Sequence, residues 1–173
     1  MNGLESLRID LKSLQEGVNV FETDLDGAFF EALGGQEVSG GRLHVSLSIR
    51  KASGFFDLTS RISGFVSVAC DLCLDEMEMP VDTENHIVVK YGSEEAAEDD
   101  VVTVAEDEGI LDMSWLVYEF VTLAIPIRHV HAPGKCNPVM AQVLEELSSD
   151  RSSDEESGGA IDSRWSELLK LKD

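Results

Sequence analysis

The sequence predicts an α+β fold: a meandering antiparallel β-sheet or partly open barrel, with a buried helix packed on it and a helical C-terminal tail. Three observations carry this prediction. Residues 42–90 alternate apolar and polar side chains, as half-buried strands do. Residues 111–127 are apolar nearly all round a helical projection, which indicates a buried helix. The final residues return to an amphipathic pattern after a stretch rich in Ser, Gly and acids.

The N-terminal part supplies the first strands and a short helix. Residues 7–9 and 18–21 fit two short strands, and "QEG" between them reads as a turn. "DLDGAFFEAL", residues 24–33, predicts a helix with an Asp start that Gly34 ends. The clearest strand covers residues 40–51, and its apolar side is formed by Leu43, Val45, Leu47 and Ile49.

The meander continues to residue 90 and is followed by an acidic loop and the buried helix. The "CDLC" motif lies at one tip of the meander. Residues 93–109 carry eight acids around an apolar island, residues 101–104, that can add an edge strand. We expect the helix near residues 112–125, capped by Asp112 or Ser114, with Trp115 and Tyr118 in the core.

The chain divides into three predicted segments. Residues 1–147 form the α+β domain and end in a helix that starts at Asn137 and Pro138. Residues 148–162 form a flexible acidic linker. Residues 163–173 form a C-terminal amphipathic helix, whose Trp165 either fills a groove of the domain or meets a partner.

The charge balance restricts the function. Thirty-four acids against thirteen bases give a net charge of −21, which repels phosphate backbones and excludes broad, non-specific nucleic-acid binding. It suits a basic protein partner, or solubility alone. The sequence has no apolar stretch of bilayer length and no secretory signal, so we expect a cytoplasmic protein.

The three cysteines and a histidine predict a zinc site. Cys70 and Cys73 form a Cys-x-x-Cys knuckle, and a Pro-Gly turn brings His131 back toward Cys136. Structural zinc prefers four sulfur and nitrogen ligands from paired short loops, so a structural zinc ion would join the sheet tip to the end of the buried helix. His129 is an alternative to His131.

Two other readings of the cysteines stay open. A redox pair needs its motif at a helix N-terminus, whereas the residues after Cys73 alternate like a strand, and Asp71, Asp75 and Glu76 are expected to raise a thiol pKa. Alternatively, the cysteines are small buried residues without a ligand. Nucleophilic catalysis has no support, because the sequence contains no Gly-x-Ser-x-Gly elbow and no phosphate-binding loop.

Several linked motifs resemble the bacterial YceD family, the large ribosomal RNA subunit accumulation proteins, in a Bacteroidetes-like form. They are "GVNVFETDLDGAFFE", "CDLCL", "WLVYEFVTLAIPIRHVH", "GKCN" and "DSRWSELLKLK". The resemblance implies a non-enzymatic cytoplasmic factor in ribosome biogenesis that supports accumulation of large-subunit ribosomal RNA. It carries the cysteine motif onto Cys70 and Cys73 and the later element onto His131 and Cys136. Many relatives have a second cysteine pair where this chain has one cysteine, and Ser163 stands where such relatives often have Pro.

Family and charge together favour an indirect mechanism, in which an acidic surface binds a basic ribosomal or assembly protein. Residues 93–109 are the predicted docking surface. The alternatives are a structural zinc-clipped interaction module with another role, or direct RNA binding through a local basic patch, formed by Lys12, Arg42, Arg50, Lys51 and Arg61.

Overall fold

A computed structural model describes residues 3–92 and 100–147. Its helices and strands follow in chain order: α1 (Gly3–Ser6), β1 (Arg8–Asp10), β2 (Gly17–Leu25), α2 (Gly27–Leu33), β3 (Gly40–Ala52), β4 (Phe55–Ala69), β5 (Glu76–Tyr91), β6 (Val101–Val104), β7 (Ile110–Asp112), α3 (Ser114–Ala124) and α4 (Pro138–Leu147). The predicted α+β class is confirmed. The predicted linker and C-terminal helix, residues 148–173, lie outside the described residues.

Five strands form one sheet in the order β2-β3-β4-β5-β6, and β1 pairs with β7 in a separate two-stranded sheet. Strands β2 to β5 are antiparallel neighbours, as the meander predicted. β6 instead runs parallel to β5, with Val101 beside Val88. The sheet is therefore mixed rather than wholly antiparallel. It is also not closed into a barrel, because β2 and β6 are edge strands of the described sheet.

One face of the sheet carries the core. The apolar side of β3 is buried as predicted, and the facing residues of β4 and β5 continue the same layer. Helix α2 contributes Phe29 and Phe30, which contact each other edge to face with ring centroids 5.2 Å apart. Asp26 caps this helix through the backbone N–H of Ala28, and Gly34 ends it in the left-handed conformation, both as predicted.

The N-terminal segment, residues 3–14, also contributes side chains to the core. Leu7, Leu11 and Leu14 are buried although they lie just outside β1. The backbone N–H of Met113 donates to the carbonyl of Leu7 at 3.0 Å, which continues the β1–β7 pairing. Residues 110–112 are thus a strand, and the predicted start of the helix at residue 112 is two residues early.

Helix α3 buries only one face. Ser114, Val117, Tyr118 and Val121 are buried, but Leu123 is 82% exposed. Trp115, predicted in the core, is 53% exposed; it stacks on Tyr118, and its indole N–H donates to Glu119 at 2.8 Å. The predicted packing of this helix on the sheet is confirmed, but the placement of Trp115 in the core was wrong, because apolar composition alone does not reveal that the sheet covers a single side. The N-cap residue is Met113, which makes no side-chain capping bond, whereas the predicted cap Asp112 lies one residue earlier and accepts from the N–H of Ser114.

Candidate metal centre

The β4–β5 hairpin ends in a tight turn that positions two cysteines. The backbone N–H of Leu74 donates to the carbonyl of Cys70, and the N–H of Cys70 donates to the carbonyl of Asp75, each at 2.9 Å. Leu74 adopts a left-handed φ of 62°, a conformation that non-glycine residues rarely take. Both sulfurs point inward, and Cys70 and Cys73 are buried.

The second half of the site lies between α3 and α4. A turn through Pro133 and Gly134, whose φ is 76°, is closed by a hydrogen bond from Lys135 N–H to the carbonyl of Ala132. This turn returns the chain so that His131 and Cys136 face the hairpin. Helix α4 then begins, with the Asn137 side chain accepting from the N–H of Val139 at 3.0 Å, as the predicted cap requires.

Two aspartates of the hairpin hold the second loop in place. Asp71 accepts the backbone N–H of His129 at 2.7 Å, while its own N–H donates to the His129 carbonyl at 3.0 Å. The Asn137 side chain donates to Asp75 at 3.1 Å. From the sequence, these acids were predicted only to influence the thiol pKa. The missed signal was their position, Asp71 within the knuckle and Asp75 two residues after it, next to groups that need hydrogen-bond acceptors.

The structure brings all four predicted site residues together: Cys70, Cys73, His131 and Cys136. Their donor atoms all lie within 4.8 Å of one another. Cys70 Sγ is 3.9 Å from Cys136 Sγ, and His131 Nδ1 is 3.4 Å from Cys73 Sγ and 4.0 Å from Cys136 Sγ. Zinc–ligand bonds of about 2.3 Å to sulfur and 2.0 Å to nitrogen place tetrahedral neighbours roughly 3.5–3.8 Å apart. The residues present therefore fit a zinc ion.

The alternative histidine is placed elsewhere. His129 Nδ1 donates to the carbonyl oxygen of Pro126 at 3.1 Å, and Nε2 lies 3.6 Å from Asp71 Oδ1. Both ring nitrogens thus face protein oxygens, and His129 is absent from the four-residue cluster found in the described part of the chain. That the cluster holds zinc stays a prediction.

The local environment gives the thiols of Cys70 and Cys136 different pKa values. Burial alone would raise the pKa of Cys70, but hydrogen bonds from the backbone amides of Cys73, His131 and Leu72 outweigh it and lower that pKa to about 6. Burial and the neighbouring cysteine sulfurs raise the pKa of Cys136 to about 11. The expectation that nearby acids raise the thiol pKa was wrong for Cys70. β5 starts at Glu76, so the knuckle leads into a strand and lacks the helix N-terminus of a redox motif, as the sequence indicated.

Two of the five residues in the predicted basic patch, Arg50 and Arg61, are paired with carboxylates. On the outer face of the sheet, Arg50 pairs with Asp57 and Arg61 with Glu84. Lys12 and Lys51 lie nearer the N-terminal segment, where their ammonium groups donate to the carbonyls of Asp107 and Leu14. The carboxylates of Asp57 and Glu84 therefore offset the positive charges of the two arginines.

The comparisons with known proteins give one match. Residues 58–172 match the sequence profile of the family described as "Large ribosomal RNA subunit accumulation protein YceD". The chain belongs to the YceD family. The match spans both halves of the cysteine–histidine cluster and continues past α4. No curated protein and no solved structure matches the chain significantly.

The family name connects this protein to accumulation of large-subunit ribosomal RNA. In residues 3–92 and 100–147, the structure contains no helix with the length and apolar character needed to cross a membrane.

Proposed function

We propose that this YceD protein is a non-enzymatic cytoplasmic factor that supports accumulation of large-subunit ribosomal RNA by binding a basic ribosomal or assembly protein. The observation that carries the proposal is the family match over residues 58–172. The contact with ribosomal RNA is indirect in this proposal, and the acidic chain binds the protein that itself contacts RNA.

Electrostatics supports a protein partner over direct RNA contact. A net charge of −21 repels a phosphate backbone at long range, whereas it accelerates encounter with a cationic protein. The two arginines best placed on the sheet, Arg50 and Arg61, are paired with carboxylates. An RNA phosphate would have to compete with those carboxylates before it could form its own ion pairs.

The acidic segment 93–109 remains our proposed docking surface. Residues 93–99 lie outside the described residues. In the described remainder, β6 pairs with β5, and Glu106, Asp107 and Glu108 are exposed directly after it. Exposed carboxylates next to a regular strand suit a cationic segment, because the backbone fixes their positions.

The cysteine–histidine cluster serves a structural role in this proposal. Cys70, Cys73, His131 and Cys136 would hold zinc with four protein ligands, and such closed sites stabilise a fold without an open position for substrate. The ion would fix the hairpin tip to the loop before α4. In this role the metal would stabilise the conformation of the hairpin tip and the loop before α4, and it would not take part in a reaction.

Loss and rescue test the function. A strain without the gene is expected to accumulate less large-subunit ribosomal RNA and fewer large subunits, with small subunits little changed. Affinity capture of the tagged protein, followed by nuclease treatment, should retain a basic partner protein. A normal ratio of large to small subunits in the deletion strain would overturn the proposed function. Complete loss of the partner on nuclease treatment would favour the RNA-binding alternative.

The docking surface needs a charge-matched control. The test variant replaces Glu106, Asp107 and Glu108 with Gln, Asn and Gln. Its control neutralises three exposed acids elsewhere on the sheet, namely Glu22, Glu78 and Asp82. We expect partner binding to weaken more in the first variant than in the second, and to weaken further as salt rises. Equal effects would show that only net charge matters and would remove this segment as a docking surface.

A further inference from the structure

A partly open cavity of about 410 Å³ lies beside the cysteine hairpin and the end of α3. Its floor is formed by the end of β4, and one wall by the chain that leaves α3. The lining is mainly apolar, and acids lie at its rim. The residues that matter for what it binds are Val68, Leu74, Ile125, Ile127, Glu37 and Asp71.

Two apolar side chains at this cavity are presented to solvent. Leu74 is 69% exposed and Ile127 is fully exposed. Leu74 keeps this position in a left-handed backbone conformation, φ 62°, which costs an L-residue about 1–2 kcal/mol and which glycine would adopt freely. A strained backbone that holds an apolar side chain in water indicates a surface that is covered in the working protein.

The C-terminal residues have the composition that would cover it. Trp165, Leu168 and Leu169 recur at the spacing of one helical face. The same segment carries Arg164, Lys170 and Lys172, so residues 163–173 are net positive within a chain of net charge −21. The bases complement Glu37 and Asp71 at the rim, while the indole and the leucines complement the apolar lining.

The connection is long enough. Seventeen residues separate Leu147, the last residue of α4, from Trp165. At 3.3–3.6 Å per extended residue they span up to about 60 Å, which exceeds the dimensions of a domain of this size. The family match also continues through residue 172, so the segment belongs to the unit that the family shares.

We propose that residues 163–173 dock in this cavity of their own chain, with Trp165 against Leu74 and Ile127 and with the basic side chains toward Glu37 and Asp71. The occupant is thus a part of the same molecule. Docking would cover the exposed side chains of Leu74 and Ile127 and hold residues 163–173 beside the cysteine hairpin.

Tryptophan fluorescence tests this in the full chain. The sequence has two tryptophans, so Trp115→Phe leaves Trp165 as the single reporter. The expected result is a blue-shifted emission and roughly threefold less acrylamide quenching than in a free peptide of residues 161–173. Because intramolecular docking is independent of concentration, both values should stay constant on hundredfold dilution.

Two variants of cavity residues and one control variant test whether Trp165 docks in this cavity. In the Trp115→Phe background, Ile127→Glu and separately Glu37→Lys should shift Trp165 emission to the red and restore quenching. Leu123→Glu, an equally polar change at an exposed α3 residue outside the cavity lining, should leave the emission unchanged. All three positions are exposed, so folding should persist, and circular dichroism verifies it.

Each other outcome overturns the proposal. Free-peptide quenching in the parent chain would show that Trp165 is not docked. Protection that is lost on dilution would assign the cavity to a second copy. Protection that survives both cavity variants but is lost in Leu123→Glu would move the docking site to the outer face of α3.

Discussion

Every second residue of β3 from Leu43 to Ile49 is buried, whereas none of the ten residues of α4 is. The sheet is held by contiguous apolar packing with α2, α3 and the N-terminal segment. The end that carries α4 has the cysteine–histidine cluster and a few hydrogen bonds accepted by Asp71 and Asp75 instead. The sheet is thus stabilised by burial of apolar side chains. The end that carries α4 is instead stabilised by specific polar contacts and, in our proposal, by zinc.

The largest effect should come from the packed region. Ile62→Ala removes a completely buried side chain of β4 and should lower the free energy of unfolding by about 3 kcal/mol, from lost burial and the cavity left behind. Urea denaturation measures this. Chelator should change the difference between the variant and the parent little, because Ile62 lies in the sheet. A cost below about 1 kcal/mol would contradict the picture of a tightly packed sheet.

The second prediction concerns the cluster. Cys73→Ser should abolish binding of about one zinc ion per chain. It should also remove amide hydrogen-exchange protection from residues 128–147 while β3–β5 keep theirs, because only the first region depends on the site. Mass spectrometry and exchange measure the two effects. His129→Ala is the matched control and should retain zinc, because its ring faces Asp71 and Pro126. Unchanged exchange in Cys73→Ser would mean that the thiols are ordinary buried side chains.

Helix α4 offers a smaller, local effect. Asn137→Ala removes the cap of α4 and the hydrogen bond to Asp75, so helix stability should fall by about 1 kcal/mol. The change should appear as faster exchange in residues 138–147 and not in the sheet. An Asn137→Ser variant can keep the cap but is too short to reach Asp75, and it should recover about half of the loss. Full loss in both variants would assign the effect to the Asp75 contact.

The smallest expected effect lies on the outer face of the sheet. Arg50, then His86, lower the pKa of Asp57 from its usual 3.8. Since the folded-state pKa is the lower one, the carboxylate adds stability above about pH 4 that is lost as pH falls through that pKa. Asp57→Asn should therefore cost at most about 1 kcal/mol at pH 7 and progressively less as pH falls below about 4, by thermal unfolding. A difference that grows on acidification would contradict this sign.

The local pattern of the sequence was enough to predict the sheet and α2. Strict alternation specified which side of β3 is buried, and the Asp26 and Gly34 signals gave both ends of α2. The direction of β6 could not be predicted, because alternation is the same in parallel and antiparallel strands. β7 was missed because three residues carry almost no periodicity and their partner is about 100 positions away.

The site shows the same division between local and long-range information. Spacing identified the three cysteines and narrowed the fourth residue of the cluster to His129 or His131. The choice between His129 and His131 needed the fold, because both lie within reach of one turn. Asp71 makes the distinction by holding the backbone and ring of His129.

The pairing of β1 with β7 imposes a delay on folding during synthesis. Arg8 is made early, but its partner Asp112 follows about 100 residues later. At roughly 5–20 residues per second, the first strand waits about 5–20 s for its partner. During that time Leu7, Leu11 and Leu14 have no complete core to enter. During this interval the apolar N-terminal segment of the nascent chain is exposed to solvent. A chaperone at the ribosome exit could bind that segment until β7 is made.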